Sequence, residues 1–206
     1  YEEVIGKTAV ELDGVRNNVR SQETNLANLI TDAMLDASEA DVVLTNGGGI
    51  RASIDVGDIT KGEVFDVLPF GNMLYTIEVS GQEIVDALNF GVSDYPNPVG
   101  KFPQVAGMTY EIVEGTPSTV TNVLVAGEAI NLSAKYKLAT NDFMSAGGDG
   151  YDMFKGKPLV QTAGSLDTIV EAFIAELTAA APAAGFTYET DGRITVAGAD
   201  ALAPAA

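Results

Sequence analysis

The stretch Asp41-Val42-Val43-Leu44-Thr45-Asn46-Gly47-Gly48-Gly49-Ile50-Arg51 decides the class of fold. It opens on a short β-branched and apolar run, which predicts a buried strand, and the run stops at an asparagine and three glycines. Upstream, from Thr24 to about Glu39, apolar residues recur at spacings of three and four, which predicts an amphipathic helix. A helix followed by a buried strand and a glycine turn indicates a domain that mixes helices with sheets.

The rest of the chain continues this mixture. Ser80-Gly81-Gln82-Glu83 reads as a capping box at the start of a helix that runs to about Phe90, and Ser165 is predicted to cap a last helix. A further helix is predicted over Lys61–Leu68 and a loop over Ser93–Pro103; the predicted strands are Met73–Val79, Met108–Val113, Val120–Val125, Tyr136–Thr140 and Arg193–Val196. The sequence therefore predicts one α+β domain, with mixed β-sheets flanked by helices.

Composition excludes several classes of function. The chain has 206 residues, of which 46% are hydrophobic, so one sizeable core is expected. It contains neither histidine nor cysteine, which excludes Ser-His-Asp and thiol catalysis, zincin-type sites and disulfides. With 11 basic and 29 acidic residues the net charge is −18, so no nucleic-acid polymer is expected as a partner. No apolar run predicts a membrane span, and we expect no signal peptide within this sequence.

The arginines are concentrated near the glycine turn. Of the four, Arg16, Arg20 and Arg51 precede residue 52, and only Arg193 lies elsewhere. Backbone N–H groups of a glycine turn together with guanidinium groups suit a phosphate or carboxylate. The alternative is that the arginines only offset an acidic surface while the glycines make a turn. No P-loop, GxGxxG or EF-hand spacing occurs.

Two further turns each carry an aromatic residue at a position where a core residue would be unusual. Phe70 lies in Leu68-Pro69-Phe70-Gly71-Asn72, and Phe143 follows Asn141-Asp142 before a second glycine-rich segment that ends at Tyr151. Taken singly, either phenylalanine is more typical of core or turn packing than of a ligand site.

These three motifs, NGGGIR, LPFGN and NDFxxxGGDGY, occur in an order that resembles the C-terminal domain of the 5′-nucleotidase family. That family includes bacterial periplasmic UDP-sugar hydrolases and animal ecto-5′-nucleotidases. The resemblance also covers Thr24-Asn25-Leu26-Ala27-Asn28-Leu29-Ile30 and Phe102-Pro103-Gln104-Val105, and it extends from about Arg16 to about Val196. It implies a layered α/β sandwich, with a connector over residues 1–18, the substrate-binding domain over 19–197 and an Ala/Pro-rich tail over 198–206.

The resemblance also implies a set of site residues. In the family, three arginines bind the phosphate or nearby groups, two aromatics sandwich the nucleobase, and an Asn and an Asp bind polar groups of base and ribose. A further Asn approaches the catalytic site and is surrounded by glycine backbone. In this chain the matching residues are Arg16, Arg20, Arg51, Phe70, Phe143, Asn72, Asp149, Asn46, Gly48 and Gly49.

Catalysis in the family belongs to a separate N-terminal metallophosphoesterase domain, whose two divalent metal ions are held by Asp, Asn and His. This sequence has no histidine, so we expect it to hold no metal, cofactor or catalytic residue of its own. The resemblance implies a hydrolase of nucleoside 5′-phosphates at full length, secreted or periplasmic, in which this chain is the specificity half and is inactive alone.

Other functions remain open at this stage. UDP-sugars, 2′,3′-cyclic nucleotides or sulfur-oxidation intermediates are substrates of related enzymes, and the aromatic pair favours a nucleobase over the sulfur compounds. A stand-alone nucleotide- or nucleoside-binding module and a structural or adhesive secreted domain are the alternatives from other classes.

Overall fold

A computed structural model describes residues 2–198 of the chain. Its helices and strands follow one another in the order β1 (Val4–Thr8), α1 (Arg16–Val19), α2 (Asn25–Ala37), β2 (Val42–Asn46), β3 (Gly57–Thr60), α3 (Lys61–Val67), β4 (Met73–Ser80), α4 (Gly81–Gly91), β5 (Pro103–Ala106), β6 (Met108–Val113), β7 (Thr119–Val125), β8 (Glu128–Ala129), β9 (Lys135–Asn141), α5 (Asp142–Ser145), β10 (Leu159–Ser165), α6 (Leu166–Ala179) and β11 (Ile194–Val196).

The strands form mixed sheets. The largest has five strands in the order β10-β4-β9-β2-β5, in which β2 and β9 run parallel and every other neighbouring pair is antiparallel. A second sheet has the order β11-β6-β7-β8, with β11 parallel to β6. The strands β1 and β3 pair with each other in a small antiparallel ribbon.

The central strand β2 is buried on both faces, and this divides the molecule into layers. Val43 packs into a cluster with the apolar residues of α2 and α6. Val42 and Leu44 point to the opposite face, where they pack with α4 and the second sheet. Helices α2 and α6 therefore cover one side of the five-stranded sheet, and α4 with the four-stranded sheet covers the other, which confirms the predicted layered α/β fold.

The helix starts follow the local chemistry of the sequence. Ser80 and Glu83 form the predicted capping box, in which the serine hydroxyl accepts from the backbone N–H of Glu83 and the glutamate accepts from that of Ser80. Ser165 does occupy the position before α6, but its hydroxyl donates to the side chain of Thr168 and makes no bond to the helix backbone. The predicted side-chain cap at Ser165 is therefore wrong.

The first residues of the chain are bound to the domain by hydrogen bonds. Lys7 in β1 pairs with Asp58 in β3, and buried Leu12 donates its backbone N–H to the carbonyl of Ile54 at 2.9 Å. The proposed boundary between residues 18 and 19 falls inside α1. The predicted tail over 198–206 lies, apart from Gly198, outside the described residues. Within residues 2–198, no helix has the length and hydrophobicity needed to cross a membrane.

Arg193, directly before β11, connects this strand to α2 and β5 by hydrogen bonds. It is only 8% exposed, and its guanidinium donates to Asp32 on α2 at 2.9 Å and to Asp191 at 2.7 Å. It also donates to the backbone carbonyl of Val105 in β5 at 3.0 Å. The fourth arginine thus has a structural role, because carboxylates and a carbonyl already occupy its donors.

Replacing Arg193 with methionine should lower the free energy of unfolding by about 2–3 kcal/mol, measured by urea denaturation. The loss should fall below the roughly 3–5 kcal/mol of a fully buried pair, because water can still reach the two carboxylates that are left behind. Lys61→Met removes an exposed pair with Glu3, 3.5 Å away, and serves as the control that should cost less than about 1 kcal/mol. Equal losses in the two variants would contradict the structural role of Arg193.

Candidate functional site

Four loops meet at one edge of the five-stranded sheet, where the ends of its strands lie. The parallel strands β2 and β9 both end there, at Asn46 and Asn141. The antiparallel strands β4 and β5 begin there, since Leu74 lies opposite Asn141 and Pro103 opposite Asn46. The loops that precede β4 and β5 therefore meet the turns that follow β2 and β9, and an open edge of this kind is where α/β sheets bind ligands.

These loops enclose a cleft of about 520 Å³. It is lined by Arg20, Asn46, Gly48, Gly49, Arg51, Phe70, Asn72, Gly100, Phe143 and Asp149. All the residues that the sequence assigned to a site are thus brought together, except Arg16. Arg16 is exposed on α1, one helical turn before Arg20, and does not line the cleft.

Glycines in the floor of the cleft allow two backbones to touch. The N–H of Gly48 donates to the carbonyl of Gly100 at 2.9 Å, and a Cβ on Gly48 would lie only 2.8 Å from the Cα of Gly100. A side chain at position 48 would push the two loops apart. Gly100 was missed by the sequence analysis, and its only signal was its place in the Pro- and Gly-rich loop before β5.

Asn46 and Asp149 are hydrogen-bonded across the cleft. The Nδ2 of Asn46 donates to the Oδ2 of Asp149 at 2.8 Å, although the two residues are 103 positions apart in the chain. Asp149 has a left-handed backbone, with φ of 57°, between two glycines. Only a few per cent of non-glycine residues adopt such a conformation. In Asp149 this backbone carries the carboxylate that accepts from the amide of Asn46.

Two phenylalanine rings at the cleft are open to solvent. Phe70 is 58% exposed and Phe143 is 46% exposed, so neither ring serves the core. Phe143 packs on the glycine loop, because a Cβ on Gly148 would lie 2.6 Å from its ring. Arg51 lies over the ring of Phe70, with its guanidinium carbon 5.5 Å from the ring centre. Of the alternative of core or turn packing, the core part is therefore wrong, whereas Phe143 does pack on a turn.

Positive charge gathers on one side of the cleft. Burial lowers the pKa of the Arg20 guanidinium, the charges of Arg16 and Arg51 lower this pKa further, and the carboxylate of Asp149 raises it. The Nε of Arg20 is buried and has no hydrogen-bond partner among the described residues. Arg51 donates to the carbonyl of Gly48 at 3.3 Å, which ties its charge to the glycine turn. Three guanidiniums that repel one another favour an anion at this place.

The acidic residues show no comparable grouping. Among residues 2–198, no three Asp or Glu side chains are placed so that they could hold a metal ion.

Comparisons with known proteins agree on one family. Residues 4–156 match the family described as 5′-nucleotidase, C-terminal domain. The trifunctional nucleotide phosphoesterase protein YfkN of Bacillus subtilis is 48% identical over 163 residues, which cover 74% of this chain and 11% of that protein. A 5′-nucleotidase of Vibrio cholerae is 38% identical over 160 residues, which cover 78% of this chain and 28% of the relative. The chain thus spans less than a third of the length of either relative.

The same family is found among solved structures. A 5′-nucleotidase precursor from Thermus thermophilus has a TM-score of 0.85 and 38% sequence identity, over 95% of this chain and 39% of that one. The likeness extends over nearly the whole chain. The chain belongs to the 5′-nucleotidase family and corresponds to its C-terminal domain.

Proposed function

We propose that this chain is the substrate-binding half of a 5′-nucleotidase-type hydrolase and holds a nucleoside 5′-phosphate in the cleft at the sheet edge. The observation that carries the proposal is the composition of that cleft. Two exposed phenylalanines, two arginines and a paired amide and carboxylate line a single space of about 520 Å³, which is ample for a mononucleotide.

The aromatic residues suit the nucleobase. Phe70 and Phe143 come from loops before β4 and after β9, whose strands are neighbours in the sheet, so the two rings flank the cleft from adjacent loops. Stacking on a base contributes about 1–3 kcal/mol and is tolerant of base identity. Folding leaves these rings exposed, and a base that lies between them would remove their apolar faces from water.

The arginines suit the phosphate. Arg20 and Arg51 line the cleft, and Arg16 adds its charge from one helical turn away. A bound phosphate would relieve the repulsion among the three guanidiniums, because its negative charge lies closest to the arginines that line the cleft.

The remaining polar groups suit the sugar and the base edge. The carboxylate of Asp149 can accept hydrogen bonds from two ribose hydroxyls, and the amide of Asn72 can bond to polar atoms of the base. We assign Asn46, at the end of β2, to the side of the cleft that approaches the catalytic site of the partner domain. Gly48 and Gly49 supply the backbone around it.

We assign catalysis to an N-terminal metallophosphoesterase domain of the same parent chain, with two divalent metal ions that activate water and clamp the reacting phosphate. This chain contributes binding and orientation of the nucleotide. The proposed parent protein is secreted or periplasmic.

Substrates that carry a nucleobase are favoured over a sulfur-oxidation intermediate because of the two exposed rings. A sulfur-oxidation intermediate offers no surface for Phe70 or Phe143 to stack on. UDP-sugars and 2′,3′-cyclic nucleotides carry a base and remain alternatives within the same site. A stand-alone nucleotide-binding module would use the same cleft without a catalytic partner.

Calorimetric titration of the 206-residue chain with AMP and with adenosine, in EDTA, tests whether Phe70 and Phe143 bind the nucleobase. We expect dissociation constants on the order of 10 µM to 1 mM, which correspond to roughly −4 to −7 kcal/mol. Phe143→Ala should weaken both ligands at least about tenfold, because a stacking contact is lost.

Phe65→Ala is the matched control, since Phe65 is 40% exposed on α3 and does not line the cleft. Its affinities should equal those of the wild type. An effect of Phe65→Ala as large as that of Phe143→Ala, or the absence of nucleotide binding by the wild type, would contradict the proposal.

The role of Arg20 is tested by the preference for AMP over adenosine. Arg20→Gln should reduce this preference about tenfold, because one charged hydrogen bond to phosphate is lost while the contacts to the base remain. Lys135→Gln changes the net charge equally at an exposed residue, at the opposite end of β9, and should leave the preference unchanged. If both variants reduce the preference alike, the effect comes from the overall charge and the assigned contact is wrong.

A phosphate-release assay tests whether this chain binds the nucleotide while the N-terminal domain hydrolyses it. The isolated chain should bind AMP and release no phosphate from it, because the metal-dependent step belongs to the other domain. The measurement compares phosphate produced with added divalent metal ions and with a chelator. Release above the chelated control would show that this chain hydrolyses nucleotides by itself.

A further inference from the structure

Asn141 lies behind the cleft and does not line it. It is the last residue of β9, it is 2% exposed, and both ends of its side-chain amide are in use. Its Oδ1 accepts the backbone N–H of Met144 at 2.8 Å, and its Nδ2 donates to Thr45 Oγ1 at 2.9 Å and to Asn46 Oδ1 at 3.0 Å. One buried amide therefore joins the ends of the two parallel strands.

The hydrogen bonds continue from Asn141 into the cleft with a fixed direction. Because Asn141 donates to the oxygen of the Asn46 amide, the nitrogen of that amide faces Asp149 and donates to its carboxylate at 2.8 Å. If the Asn46 amide were turned by half a rotation, its oxygen would face the carboxylate, and two acceptors would oppose each other. The donor end of Asn141 thus selects one orientation of Asn46.

The acceptor end of Asn141 acts on a different part of the cleft. Its bond to the N–H of Met144 caps α5, the short helix that carries Phe143. Such caps contribute about 1 kcal/mol to a helix. The two ends of one amide consequently touch the polar side of the cleft through Asn46 and the aromatic side through α5.

We infer that Asn141 is a positioning residue for nucleotide binding, which holds the Asp149 carboxylate in place for the ribose through the amide of Asn46. The inference rests on the proposed function, since it assigns the ribose to Asp149. The donor end of Asn141, without contact to the ligand, thereby controls the sugar part of the affinity and leaves the base part unchanged.

Asn141→Ser separates the two ends of the amide. A serine at this position retains a hydroxyl that can cap α5, because Ser and Asn are about equally good in that role. Its side chain is shorter by one bond and carries no amide nitrogen to direct Asn46. The matched control is Asn89→Ser on α4, where the Oδ1 of Asn89 accepts the N–H of Val120 at 2.8 Å, away from the cleft.

The test compares the affinities of adenosine and of adenine, which lacks the sugar, by calorimetry. Asn141→Ser should weaken adenosine about tenfold and leave adenine unchanged, since one charge-supported contact to the sugar is affected. In an Asp149→Ala background, Asn141→Ser should cause no further loss. Asn89→Ser should change neither affinity. Equal weakening of both ligands, or unchanged binding of adenosine, would overturn the inference.

A ligand-free measurement separates this inference from the proposed function. The side-chain amide signal of Asn46 in a ¹H–¹⁵N correlation spectrum should shift in Asn141→Ser and stay in place in Asn89→Ser; an unshifted signal in Asn141→Ser counts against the positioning role. If the wild type binds neither adenosine nor AMP, the proposed function fails while the spectrum still decides the arrangement of the amides. Should Asn141→Ser not fold, Asn141→Asp serves instead, because it retains the cap acceptor and replaces the donor end with an acceptor.

Discussion

The register of four neighbouring strands is the constraint on which the candidate site depends. β2 and β9 run parallel and end at one edge of the sheet, while β4 and β5 run against them and begin at the same edge. β2 is buried on both faces, and a shift of one residue would exchange the side chains that face α2 and those that face α4. The packing of the core therefore fixes where the four loops meet, and a cleft made from distant parts of the sequence follows from it.

The charges of the chain make the cleft different from the rest of the surface. The molecule carries a net charge of −18, yet Arg20 and Arg51 line one space with Arg16 nearby. Arg193 shows the opposite case, because Asp32 and Asp191 neutralise it and its donors are occupied. The same residue type thus serves the fold where carboxylates surround it. In the proposed complex, an arginine that lines the cleft beside other guanidiniums is the one that binds an anion.

Local chemistry accounts for what the sequence could predict. The periodicity of α2, the capping box at Ser80 and the strand β4 each follow from neighbouring residues, and the structure confirms them. The lining of the cleft was anticipated because three separate motifs matched one family. The strands β1 and β10 were missed, since their pairing with β3 and β4 depends on distant partners. Gly100 and Asn141 were missed for a related reason, because each makes its hydrogen bond with a residue that is distant in the sequence. Gly100 accepts from Gly48, and Asn141 donates to Asn46.

The cleft combines a tolerant side with a directional side. Stacking on Phe70 and Phe143 depends on a flat apolar face, which every nucleobase presents. The chain of bonds from Asn141 through Asn46 to Asp149 depends on which atom donates and which accepts, so it distinguishes one arrangement of hydroxyls from another. In the proposed complex, replacing one base with another costs little, whereas removing a sugar hydroxyl takes a donor away from the Asp149 carboxylate and leaves it the amide of Asn46. The selectivity of the proposed binding cleft would then lie in the sugar, and its breadth in the base.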